Sequence, residues 1–489
     1  MLKTGNIQDE LSRTVKMLID SGEASSIEDA YKVFTGYRLR VAVGSDVATS
    51  PTLQAALLTV VNTARRCFLG GVKVAGVPDA ELLVRWKNFH KLGDAMADLG
   101  GELVDEGNTD VPEIVIGNGE SQSSSVFIVR ATFDGWVGGV APVADDIRLD
   151  EIQEFTPSGV LAGSLAVSEA FQFVRGKNPA AGRRSIGKSL WQPAAEEDWA
   201  KIQDHGPELV LLPSRLWLIG LGHLGQAYLW TLGFLPFANP EEVTLVLQDT
   251  DRLTKANDST SPLTYDGLVG QYKTRAMAAW CEDRGFRARI IERLFAEDFS
   301  IAGDEPEVAL CGVDNEQARS SLEGVGFSRV IEAGLGKGTD EYLAFQIHNF
   351  PGAKPARNIW SNSSASDASE RSLDNIPAYV DLGSRGMDQC GLTLLAHRSV
   401  GASFVGTFTS TLVIAEVLRT IAGGPEYDVI DGTLRQPESV VAIPKIRQLK
   451  AFNPGITPAE PQPAKIIQPA MLGECKNAKL VFPGIARSS

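Results

Sequence analysis

The sequence is poor in cysteine, with five in 489 residues, at positions 67, 281, 311, 390 and 475. The number is odd, the spacings are wide and no C-x-x-C pair occurs, which argues against a disulfide framework and against a structural zinc site. A basic run is also missing. With 46 Lys and Arg against 61 Asp and Glu the net charge is −15, so neither nucleic acid nor an anionic membrane is expected as the main partner. No segment reaches the roughly 18 uninterrupted apolar residues of a membrane span, and residues 1–18 carry no apolar signal-peptide core. A soluble protein of the reducing cytoplasm is the expectation. What remains is ordinary globular composition, 43% apolar and 22% charged, at a length that suggests about two to four domains.

The most informative stretch is RLWLIGLGHLG, residues 215–225. It reads as an apolar strand, a glycine-rich turn and then a helix, expected over 226–235. Gly220, Gly222 and Gly225 form G-x-G-x-x-G, whose glycines allow a tight turn, close approach of backbone to phosphate and close helix packing. A phosphate there would meet free N–H groups and the positive end of the helix dipole. Downstream, the strand at 243–247 ends in Gln248, Asp249, Thr250 and Asp251, and an acidic residue at this place holds a ribose hydroxyl in dinucleotide-binding units. A helix is expected from near Lys273. The strand at 307–311 leads into Asp314, which places a carboxylate at the strand edge where ligands bind in open α/β sheets.

Along the rest of the chain, residues 1–36 carry helical spacing and read as a small helical cap. Residues 37–177 alternate strands with helices, ending in an apolar helix at 158–175, and indicate a mainly parallel sheet. Residues 178–213, rich in Pro, Ala, Gly and charge, read as a linker. Gly182, Gly187, Lys188 and Ser189 there fit a P-loop spacing, but no strand precedes them and Pro193 would cut short the helix that motif needs. The second unit spans 214–424. Within it residues 354–390 form a long polar stretch, expected as a loop crossing the sheet and ending at Cys390. Residues 425–489 read as a tail that holds one strand-like piece at 439–443 and a proline-rich linker at 454–463.

The two units look like copies. Gly159, Leu165, Glu169 and Gly176 match Gly406, Leu412, Glu416 and Gly423 at one constant offset of 247 (406 − 159). PEIVIGN at 112–118 resembles PEVALCG at 306–312, and RVAVG at 40–44 resembles LWLIG at 216–220. Three matches in the same order suggest a duplicated fold. The first copy reads GSDVATSP where the second has its glycine motif, and Asn118 and Gly119 near the place of Asp314. Only the second is expected to bind nucleotide.

On these residues the second half resembles the ubiquitin-activating-enzyme family, which includes the adenylyltransferases of thiamine and molybdopterin biosynthesis. Residues 37–177 resemble, more faintly, the inactive half of its pseudodimers. The resemblance implies an α/β fold of two Rossmann-like adenylation modules paired within one chain, able to act as a monomer. It assigns Gly220, Gly222 and Gly225 to ATP phosphates, Asp249 and Asp251 to the ribose and site edge, Asn257 and Lys273 to the nucleotide, and Asp314 to Mg2+. It implies adenylation of the C-terminal carboxylate of a ubiquitin-like β-grasp protein, thioester capture on Cys390 and transfer to a conjugating enzyme. A carboxylate attacking an α-phosphate gathers negative charge, which suits Lys273 together with a metal on Asp314.

One departure stands out. The family carries an arginine a few residues after the asparagine matched by Asn257, and here the run is NDSTSP. Lys255, or an arginine of the first half such as Arg13, is then expected to take over a phosphate. Cys67, Cys281 and Cys311 are expected in the core and Cys475 in an exposed tail. A nicotinamide-dependent oxidoreductase could use the same turn and Asp249, and an inactive scaffold for a ubiquitin-like protein would tolerate the missing arginine.

Overall fold

The computed structural model describes residues 7–77, 79–105, 107–195, 198–360, 373–446 and 452–462. The chain opens with three short helices, α1 (Ile7–Glu10), α2 (Lys16–Asp20) and α3 (Ile27–Thr35). In α3 the Ser26 side chain accepts from the Asp29 N–H, a serine cap that fixes its start.

The first half is built on a seven-stranded sheet: β1 (Leu39–Val43), β2 (Val72–Ala75), β3 (Gly101–Val104), β4 (Glu113–Ile116), β5 (Ile128–Asp134), β6 (Val137–Pro142) and β7 (Ile186–Ser189), in the order β3-β2-β1-β4-β5-β6-β7. The first five of that order run parallel, and β6 and β7 are antiparallel additions. Helices α4 (Pro51–Ala64), α5 (Leu92–Asp98) and α6 (Thr156–Arg175) connect them. Covered on both faces, β1 and β4 are buried at every position, which explains their continuous rather than alternating apolar pattern.

The second half repeats the plan. After β8 (Leu211–Pro213) come β9 (Arg215–Ile219), α7 (His223–Leu232), β10 (Thr244–Gln248), α8 (Lys273–Asp283), β11 (Arg287–Ile291), β12 (Val308–Cys311), α9 (Glu316–Ser320), β13 (Arg329–Leu335), α10 (Gly338–Glu341) and β14 (Ala344–Phe350). Then follow α11 (Ala356–Trp360), α12 (Pro377–Ser384), α13 (Gln389–His397), α14 (Ser403–Ile421), β15 (Tyr427–Thr433), β16 (Val441–Pro444) and β17 (Ile456–Pro458). The sheet order β11-β10-β9-β12-β13-β14-β15-β16 matches the first sheet strand for strand, with β16 added at the edge. The fold is therefore α/β, two Rossmann-like halves with mostly parallel sheets.

The matched helices carry the pseudo-symmetry. A Cβ on Gly159 of α6 would lie 2.2 Å from the Thr52 carbonyl of α4, and one on Gly406 of α14 would lie 2.4 Å from the His223 ring of α7. The repeated glycine therefore lets α6 press on α4 and α14 on α7. Gly176 and Gly423 follow the two helices with φ of +63° and +73°, a left-handed turn that glycine adopts without strain. The halves meet through these helices. Trp230 on α7 donates to the Thr59 hydroxyl on α4 at 3.0 Å, and Thr156 donates to the Phe234 carbonyl at 2.8 Å. Helix α14 is long and apolar enough to cross a membrane, but 89% of its apolar window is buried inside the fold. It is a core helix.

Several boundaries differ from expectation. The stretch 178–213 is not wholly a linker, because 186–189 form β7 and pair antiparallel with β6. The P-loop spacing thus runs from a turn at Gly182 into this strand, and Gly182 and Gly187 make room for the rings of Phe127 and Trp199. The segment from 425 is more than a tail: the strand expected at 439–443 is β16, which with the unexpected β15 completes the second sheet, and β17, within the expected linker, pairs with β8. Helix α7 begins at His223 and ends at Leu232, three residues ahead of expectation at each end. The stretch 354–390 holds α11, α12 and the start of α13. Residues 361–372 within it and Cys475 lie outside the described residues.

Candidate functional site

Each sheet has its point of strand-order reversal beside its first strand, between β1 and β4 in one half and between β9 and β12 in the other. Ligands of open α/β sheets bind in the crevice at the carboxyl ends of such strands. In the second half, β9 enters that crevice as the glycine turn. Gly220 has φ of +83°, and a Cβ on Gly225 would sit 1.9 Å from the Gly220 carbonyl, so both must be glycine for the turn to close against α7. A Cβ on Gly222 would meet nothing within 4 Å. Gly222 is also the N-cap of α7 and supplies no side-chain cap, which leaves the helix N-terminus for a ligand.

The end of β10 supplies the charges. Asp249 accepts from the Leu221 N–H at 2.7 Å and from the Asp251 N–H at 2.8 Å, so both its oxygens shape backbone. Lys273, at the first position of α8, lies 2.8 Å from Asp251 and 3.6 Å from Asp249. The lysine is nearly buried while the Asp251 side chain is 68% exposed. Of the two carboxylates assigned to ribose, Asp251 is the one open to a ligand. Asp314 is exposed just beyond β12, whose following Gly312 donates to the Ile219 carbonyl at 2.9 Å beside the glycine turn. The turn, Asp249, Asp251, Lys273 and Asp314 thus share the carboxyl edge of β9, β10 and β12.

Sequence comparison supplies the kinship. Residues 38–190 match the BilD N-terminal domain and residues 212–424 the BilD C-terminal domain. A bacterial E1-like protein BilD from Collimonas sp. (strain OK412) is 42% identical over 423 residues, 86% of this chain and 91% of that protein. The chain belongs to the BilD family. Among solved structures, E. coli MccB with MccA-N7isoASN matches 48% of this BilD-family chain and 65% of its own length, at 12% identity and a TM-score of 0.30. MccB with succinimide matches at 13% identity and the same TM-score. At that level neither overlay adds to what the strand order already shows.

The remaining candidates fall differently. Asn257 caps its own 3-10 turn: its amide oxygen accepts from the Thr254 N–H at 2.8 Å and hydroxyl at 3.1 Å. Its amide nitrogen is the group left to offer. Lys255 is exposed on the same turn. Arg13 is tied to this segment, donating its N–H to the Ser259 hydroxyl at 2.8 Å, and its buried Nη1 has no hydrogen-bond partner among the described residues. Burial, with Arg398 nearby, lowers its pKa to about 10. An unpaired buried donor is costly until an acceptor arrives.

Cys390 is exposed in the first turn of α13, where Asp388 caps the helix by accepting from the Gly391 N–H at 2.7 Å. Among the described residues no hydrogen bond or ion pair joins it to the crevice; α13 is anchored instead on the N-terminal helices, with Lys16 donating to the Ala396 carbonyl at 3.4 Å. Cys67, Cys281 and Cys311 are buried as expected, and burial pushes the thiols of Cys281 and Cys311 up to about 12, which leaves them inert.

The first half fills the helix N-terminus at its own version of the crevice. Glu154 accepts from the Thr52 N–H at 2.9 Å and the Ser50 hydroxyl at 3.0 Å, filling the N-terminus of α4 with an internal carboxylate. Asp46 accepts from the Asn118 N–H at 2.9 Å and pairs with Arg148 at 2.5 Å. A polar cavity of about 260 Å³ remains beside them, lined in part by Arg40, Asn118, Glu120 and Gln122.

Sequence reading missed His223, Gln226 and Asp258. His223 lies within the glycine motif, which fixes only the glycines, and its ring packs against Gly401 and Gly406. Asp258 stands next to Asn257, where the missing arginine drew attention away from the acid itself. Among the described residues no group of three or more His, Cys, Asp and Glu converges as a metal site.

Proposed function

We propose that this chain is an ATP-dependent activating enzyme that adenylates the C-terminal carboxylate of a ubiquitin-like protein in its second half. The observation that carries this reading is the contrast at one place in the fold: the N-terminus of α7 is open and uncapped where that of α4 is filled by Glu154. Kinship with an E1-like protein supports it, as does the gathering of Lys273, Asp251 and Asp314 on the same sheet edge.

In the proposed reaction a carboxylate oxygen of the substrate attacks the α-phosphorus of ATP. The α–β anhydride bond breaks, pyrophosphate leaves and an acyl adenylate remains. The N–H groups at α7 hold phosphate, Asp251 faces the ribose, and Lys273 offsets the charge on the nucleotide. Mg2+ would neutralise the β- and γ-phosphates from Asp314; a single carboxylate fits, because Mg2+ at phosphate sites takes most of its remaining ligands from phosphates and water. Arg13, with its unpaired Nη1, is the group proposed to replace the absent family arginine.

The thiolate of Cys390 then attacks the acyl carbon, AMP leaves and a thioester forms, ready for a conjugating enzyme. Because Cys390 sits on α13, outside the crevice, the step requires movement of the segment that carries it. The proposed setting is a reducing cytoplasm, without nucleic acid or membrane.

The test is ATP–pyrophosphate exchange with a candidate ubiquitin-like protein. Exchange is expected in the native protein and in Cys390→Ala, with a thiol-reducible conjugate only in the former. Absence of exchange with intact partner binding would favour a scaffold, and a conjugate persisting in Cys390→Ala would remove the cysteine from its role.

A further inference from the structure

A buried arginine of the first half is wired to the phosphate turn of the second. Arg66, just past the C-terminus of α4, is 3% exposed. It donates to the Asp258 carboxylate and carbonyl at 2.8 Å each, to the Pro262 carbonyl at 2.8 Å and to the Thr264 carbonyl at 3.3 Å. Its neighbour Arg65 donates to the same carboxylate at 2.8 Å, and Asn62 donates to the Pro262 carbonyl at 3.0 Å. The segment 258–264 is thus held by three side chains from the other half.

That segment passes the constraint on. Gln226, fully buried on α7, accepts through its single amide oxygen from the Leu263 N–H at 3.1 Å and the Thr264 hydroxyl at 3.0 Å. Its amide nitrogen donates to the Leu221 carbonyl at 3.1 Å, within the glycine turn itself. Because the amide oxygen is fixed by two donors, the amide plane is fixed, and the N–H must point at Leu221. The other face of the same peptide region is held by Asp249, which accepts from the Leu221 N–H. Leu221 is therefore gripped at both polar atoms, once from its own half and once through a relay that begins in the other.

We infer that Arg66, Asp258 and Gln226 are positioning residues, through which the first half holds the second half's glycine turn in its phosphate-binding shape. They need not touch the nucleotide. The arginine fork matters because one guanidinium spans four acceptors in a plane, a geometry that an ammonium cannot reproduce. The segment also bears Ser259, on which the Arg13 backbone is hung, so the relay sets that arginine as well. The inference rests on the proposed use of the second crevice for ATP.

The experiment compares the affinity of the full chain for Mg–ATP and for adenosine, which has no phosphate. Arg66→Lys and Gln226→Met are each expected to weaken ATP binding by about tenfold, the size of one lost buried hydrogen bond. Adenosine affinity should not change. The double variant should be no weaker than either single, since both break one chain of contacts. Phe133→Leu, in the core of the first half away from the relay, measures what loosening alone does.

If Arg66→Lys does not fold, Gln226→Met decides. ATP affinity within about twofold of native in that variant, equal losses for ATP and adenosine, a loss matched by Phe133→Leu, or additive effects in the double variant would each overturn the relay. A native protein that binds neither ATP nor adenosine would overturn the proposed function, and the relay's purpose with it. Native binding with unaffected variants would sink the relay alone.

Discussion

The two halves share strand order, helix placement and even the glycines between their paired helices, yet they differ in the side chains at their crevices. At α4 the helix N-terminus is satisfied by Glu154; at α7 it is bare. In the first half Asp46 is locked by Arg148, whereas in the second Asp251 is exposed beside Lys273. Beyond β4 the chain reads Gly117, Asn118 and Gly119, and beyond β12 it reads Gly312, Val313 and Asp314. A glycine between packed helices is held by the stability of the module, whereas a side chain at a crevice can change without disturbing the fold.

The largest test of that difference is at the strand ends. Asp314→Ala should lower ATP–pyrophosphate exchange by about a hundredfold or more, the scale of removing a group that stabilises transferring phosphate. Asn118→Ala, at the corresponding edge, should leave it unchanged. Equal effects would erase the distinction between the halves.

A second comparison uses the matched glycines. Gly159→Ala drives a Cβ against the Thr52 backbone carbonyl and should cost about 1–3 kcal/mol in urea denaturation, the range for overpacking a tight core. Gly406→Ala meets the His223 ring, which can swing, so the stability loss should be smaller and a fall in ATP affinity should accompany it. The reverse order would mean that the His223 ring is held as rigidly as backbone.

Smaller still is the closed helix end. Glu154→Gln removes a charge from the N-terminus of α4 and should destabilise by about 1 kcal/mol, with no change in nucleotide affinity. A gain of ATP binding there would show that Glu154 alone silences the first crevice.

The last test is pH. Burial holds His223 at about 4, below the ordinary histidine value near 6.5. The unfolded chain therefore takes up a proton that the folded one resists. Its stability contribution is complete above about pH 6.5 and is lost as the pH falls toward 4. Urea midpoints measured across that window should fall more steeply for the native chain than for His223→Gln; identical slopes would place the acid sensitivity elsewhere.

Much of this asymmetry could be read from residue order. The glycine motif, Asp249, Lys273 and Asp314 announce themselves because local turn geometry and strand ends demand particular residue types, and the repeat followed from a constant offset. The strand 186–189 was hidden, since GRRSIGKS has too few apolar residues to look like an edge addition. Glu154 and the Arg66–Asp258 pair were hidden for another reason. Their partners lie 102 and 192 residues away in sequence, and nothing local to a glutamate or an arginine says which distant backbone it will satisfy.

The Arg66–Asp258 contact also bears on why the halves occupy one polypeptide. In a symmetric homodimer every residue change appears twice, once on each side of the axis, and a contact that helps one crevice is imposed on the other. Joining two copies end to end frees them from that mirror. An arginine cluster can then brace one crevice without being imposed on the other, and a helix mouth can be stopped by a glutamate on one side while its twin stays open. Covalent linkage thus allows a division of labour, and on the proposed reading one copy keeps the chemistry while the other becomes the frame it is braced against.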